Sequence, residues 1–262
     1  MFQRSISERR AATIKLLGKE NLKTGCHIII GIIDVEEKEG MDLCDSLNKT
    51  YGPGSCIFCK CDVSDETSFK KSFEKAIKEW GKVDVLVNNA GFWDDSPEGW
   101  RKSVDVNIKG TITGSLLAVQ YMGKNHGGNG GTVLNVASIL GFYVYPIMPI
   151  YSSTKAAVLK FTRDMGTEHQ YQLHGIKFIA MCPHGTLGSK FFANQEKKFV
   201  FSDANFIKPY YDIKFEKLQQ ADNVAKGIVE SLHKGENGSV WVVEDEKGVF
   251  KIEVPEIEIM KI

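Results

Sequence analysis

Tyr151-Ser-Ser-Thr-Lys155 sets a phenol and an ammonium four residues apart. At helical spacing both project from one face, so the cation can act on the phenol. Bringing a phenol from its ordinary value of about 10 to neutrality takes about 4 kcal/mol. A unit charge about 4 Å away supplies energy of that order at an effective dielectric of about 20. The pair can therefore work as a general base. Such pairs also arise on solvated helices, where they do nothing, so this chemistry needs companions elsewhere in the chain.

Three companions are present. Ser138 closes the run Thr-Val-Leu-Asn-Val-Ala-Ser, which places its hydroxyl at the carboxyl edge of a strand, where a substrate oxygen would be held. Asn107, in Val-Asp-Val-Asn-Ile-Lys-Gly, falls inside a helical pattern. An amide is a poor helix former unless its side chain or the adjoining backbone has another task. Asn88-Asn89-Ala90-Gly91 follows the apolar run Val-Asp-Val-Leu-Val, and small residues at a strand end let backbone approach a ligand closely.

These residues need a scaffold. Short, unbroken apolar runs alternate with helical patterns along the chain, the rhythm of a parallel sheet covered on both faces. Strands are predicted at Cys26–Ile33, Cys56–Cys61, Val83–Val87, Thr132–Ala137, Ile176–Cys182 and Ser239–Val243. Helices are predicted at Glu8–Leu17, Asp65–Trp80, from the Ser96-Pro97 pair to Met122, at Tyr151–His169 and at Ala221–His233. The fold class is an α/β doubly wound parallel sheet, Rossmann-like, in which ligands lie beyond the carboxyl ends of the strands. At 262 residues and 42% hydrophobic, the chain suits a single domain, 1–262.

Lysine plus arginine and aspartate plus glutamate balance at 33 each, so no long-range field favours nucleic acid or an anionic membrane. No run approaches the roughly 20 apolar residues of a membrane span, and no secretory signal opens the chain. A cytoplasmic protein with a small-molecule substrate is expected. Cys56, Cys59 and Cys61 crowd together, but they read as thiols of a buried strand with Cys59 and Cys61 on one face, and no metal is expected.

Asn-Asn-Ala-Gly after a strand, an in-helix asparagine, a serine and YxxxK together resemble the short-chain dehydrogenase/reductase family. Trp100–Thr162 and the tail Asn-Gly-Ser-Val-Trp-Val-Val-Glu-Asp-Glu-Lys-Gly-Val-Phe-Lys-Ile-Glu-Val are similar to its branch of insect alcohol dehydrogenases and 15-hydroxyprostaglandin dehydrogenases. The resemblance implies a catalytic tetrad of Asn107, Ser138, Tyr151 and Lys155. It implies hydride transfer between a secondary alcohol, or its ketone, and NAD, with Tyr151 as the base. It assigns cofactor contacts to Asp34, Asp62, Val63, Asn89, Ala90, Gly91, Tyr151, Lys155, Pro183 and Thr186. Asp34 ends a strand where a carboxylate accepts from ribose hydroxyls and repels a 2′-phosphate, which favours NAD over NADP. A substrate lid is expected at 191–215, a C-terminal strand and tail at 239–262, and a homodimer through the helices of Asn107 and Tyr151.

The chain also departs from that family. The family pattern opens with a strand and a TGxxxGxG loop, whereas no glycine precedes Gly18 here. The first strand is expected to be lacking or replaced, and dinucleotide binding to be weak. The family's Pro-Gly after the sixth strand is replaced by Pro183-His184-Gly185-Thr186. The competing expectation is a catalytically silent homologue that serves as a dimer partner or holds an apolar ligand.

Overall fold

The computed structural model describes residues 30–187, 198–200 and 218–255. The expected helix Glu8–Leu17, residues 26–29 of the first expected strand and most of the expected lid lie outside them. A parallel pair leads, with β1 (Ile30–Asp34) and β2 (Cys56–Lys60) joined through helix α1 (Glu37–Tyr51). Helix α2 (Glu66–Trp80) leads to β3 (Val85–Asn88). A long helical stretch follows: α3 (Trp100–Val104), a π-helical turn (Asp105–Lys109) and α4 (Gly110–Met122). Strand β4 (Gly131–Val136), helices α5 (Pro149–Met165) and α6 (Glu168–His174), and strand β5 (Ile176–Pro183) come next. Helix α7 (Ala221–Lys234) and strands β6 (Val240–Glu244) and β7 (Gly248–Ile252) complete the described fold.

Strands β3, β4, β5 and β6 pair in parallel in that order, and β7 folds back antiparallel on β6. Both faces of this sheet are covered. Val133 of β4 and Ile176 and Phe178 of β5 pack with Phe69 and Phe73 of α2 and Leu117, Ala118 and Met122 of α4. Leu134, Ile179, Met181, Trp241 and Val243 turn the other way, onto Val224 and Ile228 of α7. A fully buried phenylalanine contributes up to about 3 kcal/mol relative to an exposed one. This is the Rossmann-like, doubly wound α/β arrangement that the alternating runs predict. Among the described residues β1 pairs with β2 and β3 with β4, and no strand joins the two ladders.

Local chemistry explains the element ends. The Asp65 carboxylate accepts the N–H groups of Thr67 and Ser68 at 3.0 and 3.2 Å, and Gly81 closes α2 in the left-handed region at φ 80. The expected helix start at Ser96-Pro97 is corrected to Trp100. The Ser96 hydroxyl does accept a first-turn-like N–H, from Gly99 at 3.1 Å, but the segment closes as a turn. Gly166 interrupts the predicted helix Tyr151–His169 and separates α5 from α6. Helix α1 and strand β7 are further additions to the predicted elements.

A chain of buried amides crosses the sheet. Asn88 Nδ2 donates to Asn135 Oδ1 at 2.9 Å, and Asn135 Nδ2 donates to Thr162 Oγ1 at 3.0 Å. Asn88 and Asn135 are direct partners in the β3–β4 register.

Candidate active site

Asn107 sits in the π-helical turn between α3 and α4 and is wholly buried. Its Oδ1 accepts the Phe92 N–H at 2.8 Å, and its Nδ2 donates to the Phe92 carbonyl at 2.8 Å and to Thr154 Oγ1 at 2.9 Å. The task that an amide inside a helix demands is thus to grip the loop after Asn88–Gly91. Thr154 in turn donates to the Tyr151 carbonyl at 2.7 Å, so the amide reaches the first turns of α5.

Tyr151 and Lys155 lie on the buried face of α5. The Lys155 ammonium stands 5.8 Å from the centroid of the Tyr151 ring and donates to the Val136 carbonyl at 2.9 Å. Only 4% of Lys155 is exposed, a rare condition for an ammonium and one that fixes its position. Two residues past Val136, Ser138 caps the short turn Ile139–Gly141 by accepting the Leu140 N–H at 3.2 Å. A Cβ on Gly141 would lie 3.1 Å from the Lys155 carbonyl, so this turn packs directly on α5. Cys182, at the end of β5, is buried beside the same group. Burial pushes its thiol up to about 12, against the opposing pull of Lys155 and the Ser138 N–H. It is a packing thiol rather than a nucleophile.

The expected cofactor residues fall into three places. Gly91 abuts two residues of the expected tetrad: a Cβ there would stand 3.6 Å from Lys155 Nζ and 3.8 Å from Asn107 Oδ1. Asn89 and Ala90 precede it and are half-buried. Asp34 and Asp62 end β1 and β2 or follow them closely, on the pair of strands remote from α5. One Asp34 oxygen accepts the Glu36 N–H at 3.2 Å, and one Asp62 oxygen accepts both the N–H and hydroxyl of Ser64 at 2.9 and 2.7 Å. Burial raises the Asp62 carboxyl, but Ser64 and the Lys102 ammonium outweigh it and hold the group below the usual carboxylate range. Val63 packs under Gly110, where a Cβ would approach its side chain to 2.9 Å. Pro183 ends β5, and the Thr186 hydroxyl donates to the His184 carbonyl at 2.8 Å.

An apolar wall adjoins the phenol: Trp93, Tyr145, Ile147, Met148 and Phe199 cluster with Tyr151, and Phe199 meets Trp93 edge-on with centroids 5.4 Å apart. Among the described residues no group of three or more His, Cys, Asp or Glu side chains gathers as a metal site, and no helix is long and apolar enough to cross a membrane. The described cysteines are free and buried.

The sequence pattern does not single out Phe92, Asp95 or Thr154. Phe92 and Thr154 act through ordinary-looking positions. Asp95 stands in Trp-Asp-Asp-Ser-Pro, a run that reads as a solvated turn, yet 1% of it is exposed. Its carboxylate accepts the N–H groups of Ile150 and Tyr151.

A mostly parallel sheet wound on both faces, with a phenol and an ammonium one helical turn apart near its carboxyl edge, places the protein among the Rossmann-like α/β proteins. The profile described as short chain dehydrogenase matches residues 15–198, and the chain belongs to that family. Over 223 residues, 84% of this chain and 83% of the relative, it is 26% identical to 15-hydroxyprostaglandin dehydrogenase [NAD(+)] of Homo sapiens. It is 29% identical over 185 residues to alcohol dehydrogenase 1 of Ceratitis cosyra, covering 71% of this chain and 70% of that one. The crystal structure of a short chain dehydrogenase/reductase from Burkholderia phymatum in complex with NAD superposes with a TM-score of 0.66 at 20% identity, over 79% of this chain and 77% of that one. That likeness shows the fold.

Proposed function

We propose that the protein is an NAD-dependent oxidoreductase that interconverts a secondary alcohol and its ketone, with Tyr151 as general base. The observation that carries this reading is the buried Lys155 ammonium, held on the Val136 carbonyl at 2.9 Å and facing the Tyr151 ring at 5.8 Å. Relatives whose names state an NAD-dependent or alcohol dehydrogenase support the reaction class.

When bound, NAD would supply the hydride acceptor for the carbinol carbon. Tyr151 takes the hydroxyl proton, and Ser138 hydrogen-bonds the same oxygen. Lys155 favours the phenolate by charge and would hold the nicotinamide ribose. Asn107 braces the loop and would anchor a water that relays the proton out. Asp34 would hold the adenosine ribose, Asp62 and Val63 the adenine end, Asn89, Ala90 and Gly91 the adenosine flank, and Pro183 and Thr186 the nicotinamide side. The open face of Gly91 beside two tetrad side chains fits such a group, because small residues admit close backbone approach. Each role depends on fixed geometry more than on strong binding.

Substrate selection belongs to the apolar wall around Tyr151, which suits an alcohol with a sizeable hydrocarbon portion. A homodimer through α4 and α5 accords with the exposure of Leu116 on α4, and a cytoplasmic location accords with buried free thiols.

The same apolar wall would serve a catalytically silent homologue that holds an apolar ligand, and two measurements separate the readings. Tyr151→Phe should lower alcohol oxidation by about 10²–10⁴-fold while leaving NADH fluorescence titration nearly unchanged. Unchanged turnover would remove Tyr151 from its role. Failure of the wild-type protein to bind NADH or oxidise any of a panel of secondary alcohols would favour the silent homologue.

A further inference from the structure

We infer that Asp95 is a positioning residue for Tyr151: its buried carboxylate caps the helix that carries Tyr151 and Lys155, and so sets where the phenol stands relative to the ammonium and the rim of the sheet. This inference rests on the reading of Tyr151 as the base.

The first turn of α5 accounts for itself completely. Pro149 has no N–H to satisfy, and Met148 at the N-cap offers no side-chain acceptor. Ile150 donates to Asp95 Oδ2 at 2.8 Å. Tyr151 donates to both oxygens, Oδ1 at 3.0 Å and Oδ2 at 3.3 Å. Ser152 turns back to the Met148 carbonyl at 2.9 Å. Every N–H that a helix start leaves open is thus filled, and a carboxylate at that end also meets the positive pole of the helix.

Asp95 is itself immobilised. Its own N–H donates to the Lys198 carbonyl at 2.8 Å. Asp94, beside it, accepts the Ser96 N–H at 3.0 Å on its carboxylate and donates its own N–H to the Ser103 hydroxyl at 2.9 Å. At the other end of the segment, Asn107 clamps Phe92. Residues 92–96 therefore join the helix of Asn107 to the helix of Tyr151 and Lys155.

Burying a carboxylate is expensive, and a serine or threonine in place of Met148 would cap α5 without that expense. What a local cap cannot supply is registration against the loop gripped by Asn107. A carboxylate 55 residues away in sequence supplies it, because its two oxygens fix the first turn in two directions.

The test compares Asp95→Asn with Asp95→Ala. Both remove the charge, but only asparagine keeps a capping oxygen, so charge effects on Tyr151 cancel between them. Tyr151 ionisation is read in the cofactor-free protein by ultraviolet difference titration against the same variant carrying Tyr151→Phe. The expected result is a phenol midpoint about half a pH unit or more higher in Asp95→Ala than in Asp95→Asn. Turnover should fall about 10–100-fold further in the alanine variant, with KM for the alcohol changing much less. Equal midpoints and equal turnover in the two variants would overturn the inference. If Asp95→Ala does not fold, Asp95→Ser, whose shorter side chain reaches one N–H at most, takes its place under the same criteria. Activity that survives Tyr151→Phe would instead refute the general-base reading, so the two failures are distinguishable.

Discussion

Asn107 holds both backbone groups of Phe92, accepting from its N–H and donating to its carbonyl at 2.8 Å each. Breaking such a buried clamp leaves the backbone polar groups without partners, at about 1–3 kcal/mol apiece. Asn107→Leu should therefore lose about 3–5 kcal/mol in urea denaturation, together with alcohol oxidation. Asn107→Asp keeps the acceptor but loses both donated bonds, and its buried charge makes it no milder. Stability within about 1 kcal/mol of wild type for either variant contradicts the clamp.

On the proposed reading, Asp34 would govern the choice of dinucleotide through charge. Its carboxylate, at the end of β1, would repel a 2′-phosphate, so Asp34→Ser should relax the preference for NAD over NADP by about tenfold or more, or about 1.4 kcal/mol. Ratios of kcat/KM for the two cofactors measure this. An unchanged ratio removes Asp34 from the ribose site.

Gly91 separates binding from stability. An added Cβ would make only ordinary contacts, 3.6 Å from Lys155 Nζ and 3.8 Å from Asn107 Oδ1, so Gly91→Ala should change thermal stability by about 0.5 kcal/mol or less. It should nevertheless raise the Kd for NADH by about tenfold if Gly91 borders the cofactor as proposed, because the methyl would narrow the backbone approach. Fluorescence titration and calorimetry on one preparation decide both halves.

Asp95 makes stability depend on pH in an unusual direction. Burial pushes its carboxyl up to about 6, Asp94 adds to the rise, and the N–H groups of Ile150 and Tyr151 pull back. The Lys198 chain passes the same spot. In the unfolded chain the group titrates near 3.8. Between those values the folded protein keeps a proton that the unfolded chain has released, so this site favours folding most at the acid end and loses that contribution as pH rises through about 6. The stability of wild type minus that of Asp95→Asn should fall between pH values of about 4 and 7. A difference that stays flat or rises contradicts the shift.

The sequence reveals most where one residue pattern has one physical outcome. Unbroken apolar runs marked the strands because both faces of the sheet are covered, and α2 showed itself by Phe69, Phe73 and Ala76 recurring on one buried stripe. Helix α1 escaped notice because Glu37–Tyr51 is polar over most of its length and buries only Gly40, Cys44 and Leu47. Strand β7 hid in a short tail segment whose partner, β6, is reached through a tight turn at Gly248. Among the candidate site residues, Tyr151, Lys155 and Asn107 stood out by spacing or by an awkward local propensity. Asp95, Phe92 and the Val136 carbonyl did not, because their importance arises from contacts between segments distant in sequence. An acidic turn on the surface and an acidic helix cap in the interior are spelled alike.

Asn88 and Asn135, facing each other across neighbouring strands, act as a notch and pawl for the sheet. A slip of either strand by one residue would turn its amide into the aliphatic layer against α7 and leave the other without its partner. A slip of β4 would also move Ser138, three positions past Asn135, along the edge of the sheet. The alignment of the candidate site is therefore guarded from the middle of the sheet, and substitutions at these two amides should damage the proposed function by misaligning strands while all four proposed catalytic residues are still present.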